Sequence, residues 1–269
     1  MRKKIAVFAN EKISSSILRQ LYKKKIKIDL IFTSSFKIKK KISDWIDLKK
    51  FSKKIGNPEV LEINSPNSAS VKKKLKLLQP DYIFVMSWSQ IISKEILNIP
   101  KKGTISFHYS SLPKRRGGAP LFWTIFDNLK FMGITIYYMT SGIDDGDIID
   151  SIKIKLSKSE NVKSLLEKIN KKFPLFYADT IKKVFLNKVK IKKQNNKIAT
   201  YTKARKPSEG LISFSMNNSK LIKFINALTE PYPCAFFNAA DLNGKNKKFK
   251  IVDTFYKNNK LLMKGYLEK

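Results

Sequence analysis

The chain has 269 residues, 42% hydrophobic and 12% aromatic, enough to bury a sizeable core in one large domain or two unequal ones. No run approaches the roughly 18 uninterrupted apolar residues of a membrane span, the opening "MRKKIAVFAN" has too short an apolar segment for a secretory signal, and one cysteine, Cys234, excludes an internal disulfide or a cysteine-clustered zinc site. The expectation is a cytoplasmic protein without membrane insertion. The formal charge of +34 rests on 55 basic residues of which five are arginine. That excess of lysine favours a solvated coat set by composition over a phosphate-reading footprint, where arginine forks are expected.

In chain order, "KKIAVFAN" is a short strand, Ser14–Ser16 supply caps for a helix over "SILRQLYKKK", and "IKIDLIFTS" is a second strand. No G-x-G-x-x-G follows the first strand, so a dinucleotide fingerprint is missing. "DWIDLKKFSKKI" has helical spacing, "EVLEI" is a strand, "SPNSASVKKKLKLL" a helix, and "DYIFVMSW" a continuous apolar run suited to a buried parallel strand. "GTISFHY", the helix "APLFWTIFDN" and the strands "GITIYYMTSG" and "DIIDSIKIKL" follow. A long helix begins at "ENVKSLLEKINKKF", and its Pro174 predicts a kink or break. After the polar "VKIKKQNNKIATYTKARKPSEG" come "LISFSM", a helix over "NSKLIKFINALT", and the alternating runs "KFKIVDTFY" and "KLLMKGYL". These elements predict an α/β fold with a mostly parallel sheet over 1–188, a linker at 189–207 and a small β-rich C-terminal domain over 208–269.

Ligands of open parallel sheets sit beyond the carboxyl ends of the strands. His108, the only histidine, ends "GTISFHY", and Asp144 lies in "SGIDDGD" just past "GITIYYMT". Two loops leaving neighbouring strand ends in one direction would bring an imidazole and a carboxylate together, which is ordinary acid–base equipment. Spacing alone leaves two readings open: a catalytic pair, or a structural histidine beside a solvated turn. "DDGD" lacks the alternating oxygen ligands and later glutamate of a calcium loop, and no metal is expected.

The ordered combination "FHYSSLPKRRGGAP" and then "GITIYYMTSGIDDGDII" resembles the formyltransferases that use 10-formyltetrahydrofolate. The resemblance extends back to "QPDYIFVMSWSQIISKEILNIPKKG" and forward to "RKPSEGLISFSMNNSKLIKFINALTEPYPCAFF", and so covers nearly the whole chain. It implies a Rossmann-like catalytic domain and transfer of a formyl group from 10-formyltetrahydrofolate, as co-substrate, to a primary amine. It assigns catalysis to His108 and Asp144. Ser106 stands where the family carries an asparagine that donates to the formyl oxygen, so Ser106 is the candidate donor, or else the chain is a catalytically weakened member.

The family's folate pocket, held largely by backbone groups, maps to Met86, Ser87, Trp88, Ser89, Gln90 and Ile91 and to Thr140, Gly142 and Ile143. The residues themselves allow a second reading, a buried strand end with Trp88 in the core. Arg115 and Arg116 are candidates to grip an acceptor phosphate, with a solvated basic loop as the alternative. Arg205, in "KARKP", reads as an interdomain contact. The acceptor expected is a nucleotide-linked amino sugar. The alternative is methionyl-tRNA, favoured by charge and by the lysine-rich Lys37–Lys54 segment. A homodimer is left open.

Overall fold

A computed structural model describes residues 2–39, 42–241, 243–257 and 260–268, with backbone only at 36, 39 and 256. In chain order the elements are β1 (Ile5–Ala9), α1 (Lys12–Lys23), β2 (Leu30–Ser34), α2 (Phe36–Lys39), α3 (Leu48–Ser52), β3 (Glu59–Ile63), α4 (Ala69–Leu78), β4 (Tyr82–Met86), α5 (Lys94–Leu97) and β5 (Thr104–His108). There follow the two-residue β6 (Arg116–Gly117), α6 (Pro120–Phe126), β7 (Phe131–Tyr138), β8 (Ile148–Lys155), α7 (Val162–Phe185), the two-residue β9 (Tyr201–Thr202), α8 (Asn218–Asn226), β10 (Phe236–Ala240), β11 (Asn246–Lys257) and β12 (Lys260–Leu267).

Seven strands form one sheet in the order β3-β2-β1-β4-β5-β7-β8. The contacts β3-β2, β2-β1, β1-β4 and β4-β5 are parallel, and β5-β7 is antiparallel. This is the expected Rossmann-like, mostly parallel arrangement. Every residue of β1, β2, β4 and β5 is buried, because the strands are covered on both faces. One face sets Ala6, Phe8, Ile83 and Val85 against Val71 and Leu75 of α4 and Ile96 and Leu97 of α5. On the other, Phe84 and Phe107 meet the rings of Tyr177 and Phe173 in α7. The order reverses between β1 and β4, so the crevice of the fold opens at the ends of these strands.

Two local expectations need correction. The helix after β1 starts at Lys12, so Ser14–Ser16 lie within it; Ser14 donates its hydroxyl to the Met86 carbonyl at 3.0 Å instead of capping. Pro174 sits inside a continuous α7 rather than breaking it. An interior proline costs about 3 kcal/mol. Burial of Ile169, Phe173, Tyr177 and Ile181 on one helix face outweighs that cost.

Compactness divides the chain differently from the linear boundaries at 188 and 207. One unit comprises Met1–Arg116, Gly133–Lys153 and Ile169–Thr200, and the other Gly117–Met132, Ile154–Lys168 and Tyr201–Lys269. The second unit contains the antiparallel sheet β10-β11-β12, in keeping with the alternation of "KFKIVDTFY" and "KLLMKGYL". Arg205 makes its contacts inside this unit. Its guanidinium lies 3.9 Å from the Phe122 ring centroid and 5.5 Å from that of Phe224, and it donates to the Glu209 carbonyl. No helix among the described residues is long and apolar enough to cross a membrane.

Candidate active site

Strand alternation and the β5-β7 register assemble the site. Ser106 lies opposite Tyr137 and His108 opposite Thr135, so these four residues share one face of the sheet while Phe107 points to the other, against α7. His108 and Asp144 do meet, with Nδ1 and Oδ2 3.4 Å apart. The expected route was wrong. β7 runs against β5 with Tyr138 opposite Ile105, so the two strands leave the sheet in opposite directions. The loop after β7 instead closes over the shared face, where the Tyr137 hydroxyl donates to Asp144 Oδ1 at 2.6 Å. One glycine makes the loop possible: a Cβ on Gly146 would stand 1.7 Å from the Tyr138 carbonyl oxygen.

His108 Nε2 lies 2.8 Å from the Arg115 carbonyl oxygen. A carbonyl only accepts, so Nε2 carries a proton, and Nδ1 can donate toward Asp144 only when the ring is doubly protonated. Tyr137 remains a phenol. Burial first, and then the Asp144 carboxylate, push its pKa well above the ordinary value, so it is a fixed donor to Asp144.

Three predicted residues behave differently from expectation. Ser106 donates its hydroxyl to the Val85 carbonyl at 2.9 Å, a bond within the sheet. Arg116 is 2% exposed. Its Nε and Nη2 reach Gln194 Oε1 at 3.1 and 2.8 Å, and Nη2 reaches Asn196 Oδ1 at 2.8 Å, so it is built into the interior and does not face a phosphate. Met86 is fully buried and its carbonyl is engaged by Ser14. Arg115 is half-buried; its N–H donates to Thr200 Oγ1 at 2.9 Å.

The remaining predicted folate-pocket residues form two loop segments. After β4, Gln90 Nε2 donates to the Asn64 carbonyl and Asn67 Nδ2 to that of Ile91, leaving the Ile91 side chain exposed. Trp88 stacks edgewise on Phe8 at 5.4 Å, which satisfies the core reading, yet its Nε1 is buried without a partner among the described residues. Gln90 Oε1 is likewise buried and unpartnered. Ser87 has φ of +51°, a left-handed conformation that non-glycine residues adopt mainly under constraint. In the other segment, Thr140 bonds Asp145, and Thr140, Gly142 and Ile143 are exposed. A buried donor and acceptor awaiting partners at a strand end fit a flat heteroaromatic ring with both kinds of group on its edge, such as a pterin.

Sequence reasoning missed Tyr137, Gln194 and Glu11. The alternation in "GITIYYMT" puts Tyr137 on the face of Thr135, but only the antiparallel register brings that face to His108. Gln194 donates to the carbonyl oxygens of Asp144 and Gly146 from a stretch that reads as a linker, and no local signal marks it. Glu11 lies in the β1–β4 crevice. Desolvation first, with the Asp44 carboxylate adding and the Ser87 hydroxyl opposing, pushes its carboxyl up to about 7.

With this geometry in view, comparison with known proteins is specific. Residues 3–181 match the family described as Formyl transferase. The chain is 34% identical over 176 residues to methionyl-tRNA formyltransferase of Bacillus subtilis strain 168, covering 65% of this chain and 54% of that protein. It is 30% identical over 256 residues to methionyl-tRNA formyltransferase of Pelagibacter ubique strain HTCC1062, covering 94% and 80%. The chain thus spans about half the length of the Bacillus relative and more of the Pelagibacter one. Among solved structures it superposes on the sugar 3N-formyl transferase WlaRD, crystallised in the presence of dTDP and 5-N-formyl-THF. That match has a TM-score of 0.66 and 19% identity over 99% of this chain and 95% of that one, a likeness of fold. Since the family match takes in β1 through most of α7, and with them both His108 and Asp144, the chain belongs to the formyl transferase family.

Proposed function

We propose that this chain is an enzyme that transfers a formyl group from 10-formyltetrahydrofolate to the primary amine of an amino-sugar nucleotide. The observation that carries the reading is the His108–Asp144 pair, roofed over a sheet face and oriented through Tyr137. In this reading residues 1–188 supply the catalytic domain. Ser87 to Ile91 hold the pterin from one side, with Trp88 Nε1 and Gln90 Oε1 as the donor and acceptor, and Thr140 to Ile143 offer backbone groups from the other. The folate supplies an activated formyl carbon.

His108, doubly protonated, supports negative charge developing on the formyl oxygen through its positive charge, with Nε2–H committed to Arg115 and Nδ1 facing Asp144. Asp144 holds that charged ring and accepts a proton, directly or through a water, as the amine nitrogen forms its bond to the formyl carbon. The same proton passes on to the folate nitrogen as its bond to the formyl carbon breaks, so no proton is gained or lost overall. With Ser106 turned into the sheet, the oxyanion relies on His108 more than the family pattern implies.

For the acceptor, the segment suspected of contacting RNA is a folded piece of the domain. Leu48, Phe51 and Ile55 are buried, Asp47 caps α3 through the Lys50 N–H at 3.0 Å, and Lys49 pairs with Glu62 at 3.1 Å. Residues 40 and 41 lie outside the described residues. A methionyl-tRNA acceptor is the second reading, favoured by the match along nearly the whole chain to the Pelagibacter methionyl-tRNA formyltransferase.

The test incubates the protein with 10-formyltetrahydrofolate and either a panel of amino-sugar nucleotides or charged initiator transfer RNA, following tetrahydrofolate release. Turnover of an amino-sugar nucleotide that persists between about 50 and 200 mM salt is expected, since a small acceptor makes few phosphate contacts, whereas RNA binding through a lysine coat collapses over that range. Efficient formylation of the transfer RNA with no turnover of any sugar nucleotide would reverse the assignment.

A further inference from the structure

We propose that Gln194 and Arg116 form a positioning brace that sets Asp144 against His108, an inference that rests on the proposed formyl transfer and adds two residues to its machinery. Gln194 spends its whole amide. Its Nε2 donates to the Asp144 carbonyl at 2.8 Å and to the Gly146 carbonyl at 2.7 Å, and its Oε1 accepts from Arg116 Nε and Nη2. The amide orientation is thereby dictated: a guanidinium only donates and the two carbonyls only accept.

The brace reaches both members of the pair from one short segment. Arg115 gives its carbonyl to His108 Nε2, and the next residue, Arg116, acts through Gln194 on the backbone of Asp144. That segment is itself pinned. Arg116 N–H donates to the Thr200 carbonyl at 2.9 Å, Arg115 N–H to Thr200 Oγ1 at 2.9 Å, and Thr200 N–H to the Pro113 carbonyl at 3.3 Å. Two of the residues involved hold left-handed backbones, Arg115 at φ +59° and Asp144 at +49°. Such conformations persist where surrounding bonds over-determine them. The stretch 194–200, which reads in sequence as part of a linker, is therefore a structural member of the site. The amide oxygens of Gln194 and Asn196 hold the buried Arg116 fork in one geometry.

The test compares Gln194→Ala, Gln194→Glu and Arg116→Lys with wild type in two readouts. In the first, turnover of the best amino-sugar nucleotide, kcat should fall about 10- to 100-fold in Gln194→Ala, because misplacing a catalytic group by about 1 Å costs that order. KM for both substrates should stay within about threefold. Gln194→Glu should be at least as impaired, since a carboxylate would face two carbonyl oxygens with no proton to give. Arg116→Lys keeps the charge without the fork and should lose about 3- to 10-fold.

The second readout needs no substrate. His108 is the only histidine, so its ring gives one set of imidazole resonances. In wild type the Nε2-protonated form held by Arg115 should give a sharp signal. In Gln194→Ala the signal should broaden or divide as the pair loosens. If Gln194→Ala does not fold, Arg116→Lys carries the same two readouts. Wild-type kcat together with an unchanged His108 spectrum in the folded variants overturns the brace. If wild type itself transfers no formyl group, the reaction reading fails, and the spectra alone decide whether the brace holds the ring.

Discussion

The ends of β4 and β5 lie side by side in the sheet, yet they meet the crevice in opposite states. At β5 the polar groups are satisfied within the fold: His108 by Arg115 and Asp144, Asp144 by Tyr137, Ser106 by Val85. At β4, Trp88 Nε1 and Gln90 Oε1 are buried without partners among the described residues. The contrast separates two tasks in the proposed function. Under the proposed function, the groups assigned to chemistry are held by bonds within the fold, while two of the groups assigned to recognition have no partner within it among the described residues. The β5 end should therefore report in kcat and the β4 end in binding.

The sharpest attempt to break that division is at the pair itself. His108→Asn or Asp144→Asn should lower kcat by about 10²- to 10⁴-fold with little change in tetrahydrofolate affinity. Steady-state kinetics and calorimetric titration check this, and the double variant should be little worse than either single because the two act as a unit. A loss of affinity that matches the loss of rate would merge the two ends into one function.

Next comes Glu11, beside Ser87 on the β4 side. Its carboxyl, pushed up to about 7 from an ordinary 4.5, keeps its proton in the folded state through a pH range where the unfolded chain has already released it. Stability attributable to this group is therefore full below about pH 4.5 and falls as pH rises toward 7, by up to about 3 kcal/mol. Urea unfolding at pH 4.5 and 8 should show wild type losing that much more than Glu11→Gln. Equal pH dependence in both proteins would place the carboxyl in contact with water.

A smaller effect tests the unpartnered groups after β4. Trp88→Phe keeps the ring against Phe8 but removes the donor, and should weaken tetrahydrofolate binding by about 5- to 10-fold with kcat within about twofold. Unchanged affinity with a gain in stability would mean that the indole N–H was an unmet cost and no recognition group. Smallest is Ser106→Ala, which should cost about 1 kcal/mol of stability through the lost bond to Val85. Its kcat should stay within about threefold, whereas removal of an oxyanion donor costs roughly 2.7–4 kcal/mol in the transition state.

Much of the main sheet was legible, because burial on both faces writes itself as runs such as "DYIFVMSW", and hydrophobic periodicity survives a lysine-rich surface. His108 and Asp144 were legible as a pair through motif order. Their geometry was not: the chain turns back at β7, and strand direction is a long-range property that "GITIYYMTSG" does not encode locally. Arg116 shows the same limit. The sequence offers Arg116 as a phosphate contact, but whether a guanidinium turns inward depends on Gln194, 78 residues away. Tyr137 was hidden for a related reason, since its role requires both the register with Ser106 and the return of the 139–147 loop.

The left-handed backbone of Asp144 limits how the site can be altered. At φ +49° the residue occupies a region that asparagine, aspartate and glycine enter at small cost and longer or branched side chains do not. Glutamate, the usual substitute for keeping a negative charge, would carry a backbone penalty into the loop as well as a longer reach, so its effect on rate would mix two causes. Asparagine alone separates them. Any redesign of the proposed proton chemistry must therefore move the carboxylate to another position, because lengthening it in place would reshape the loop that supports it.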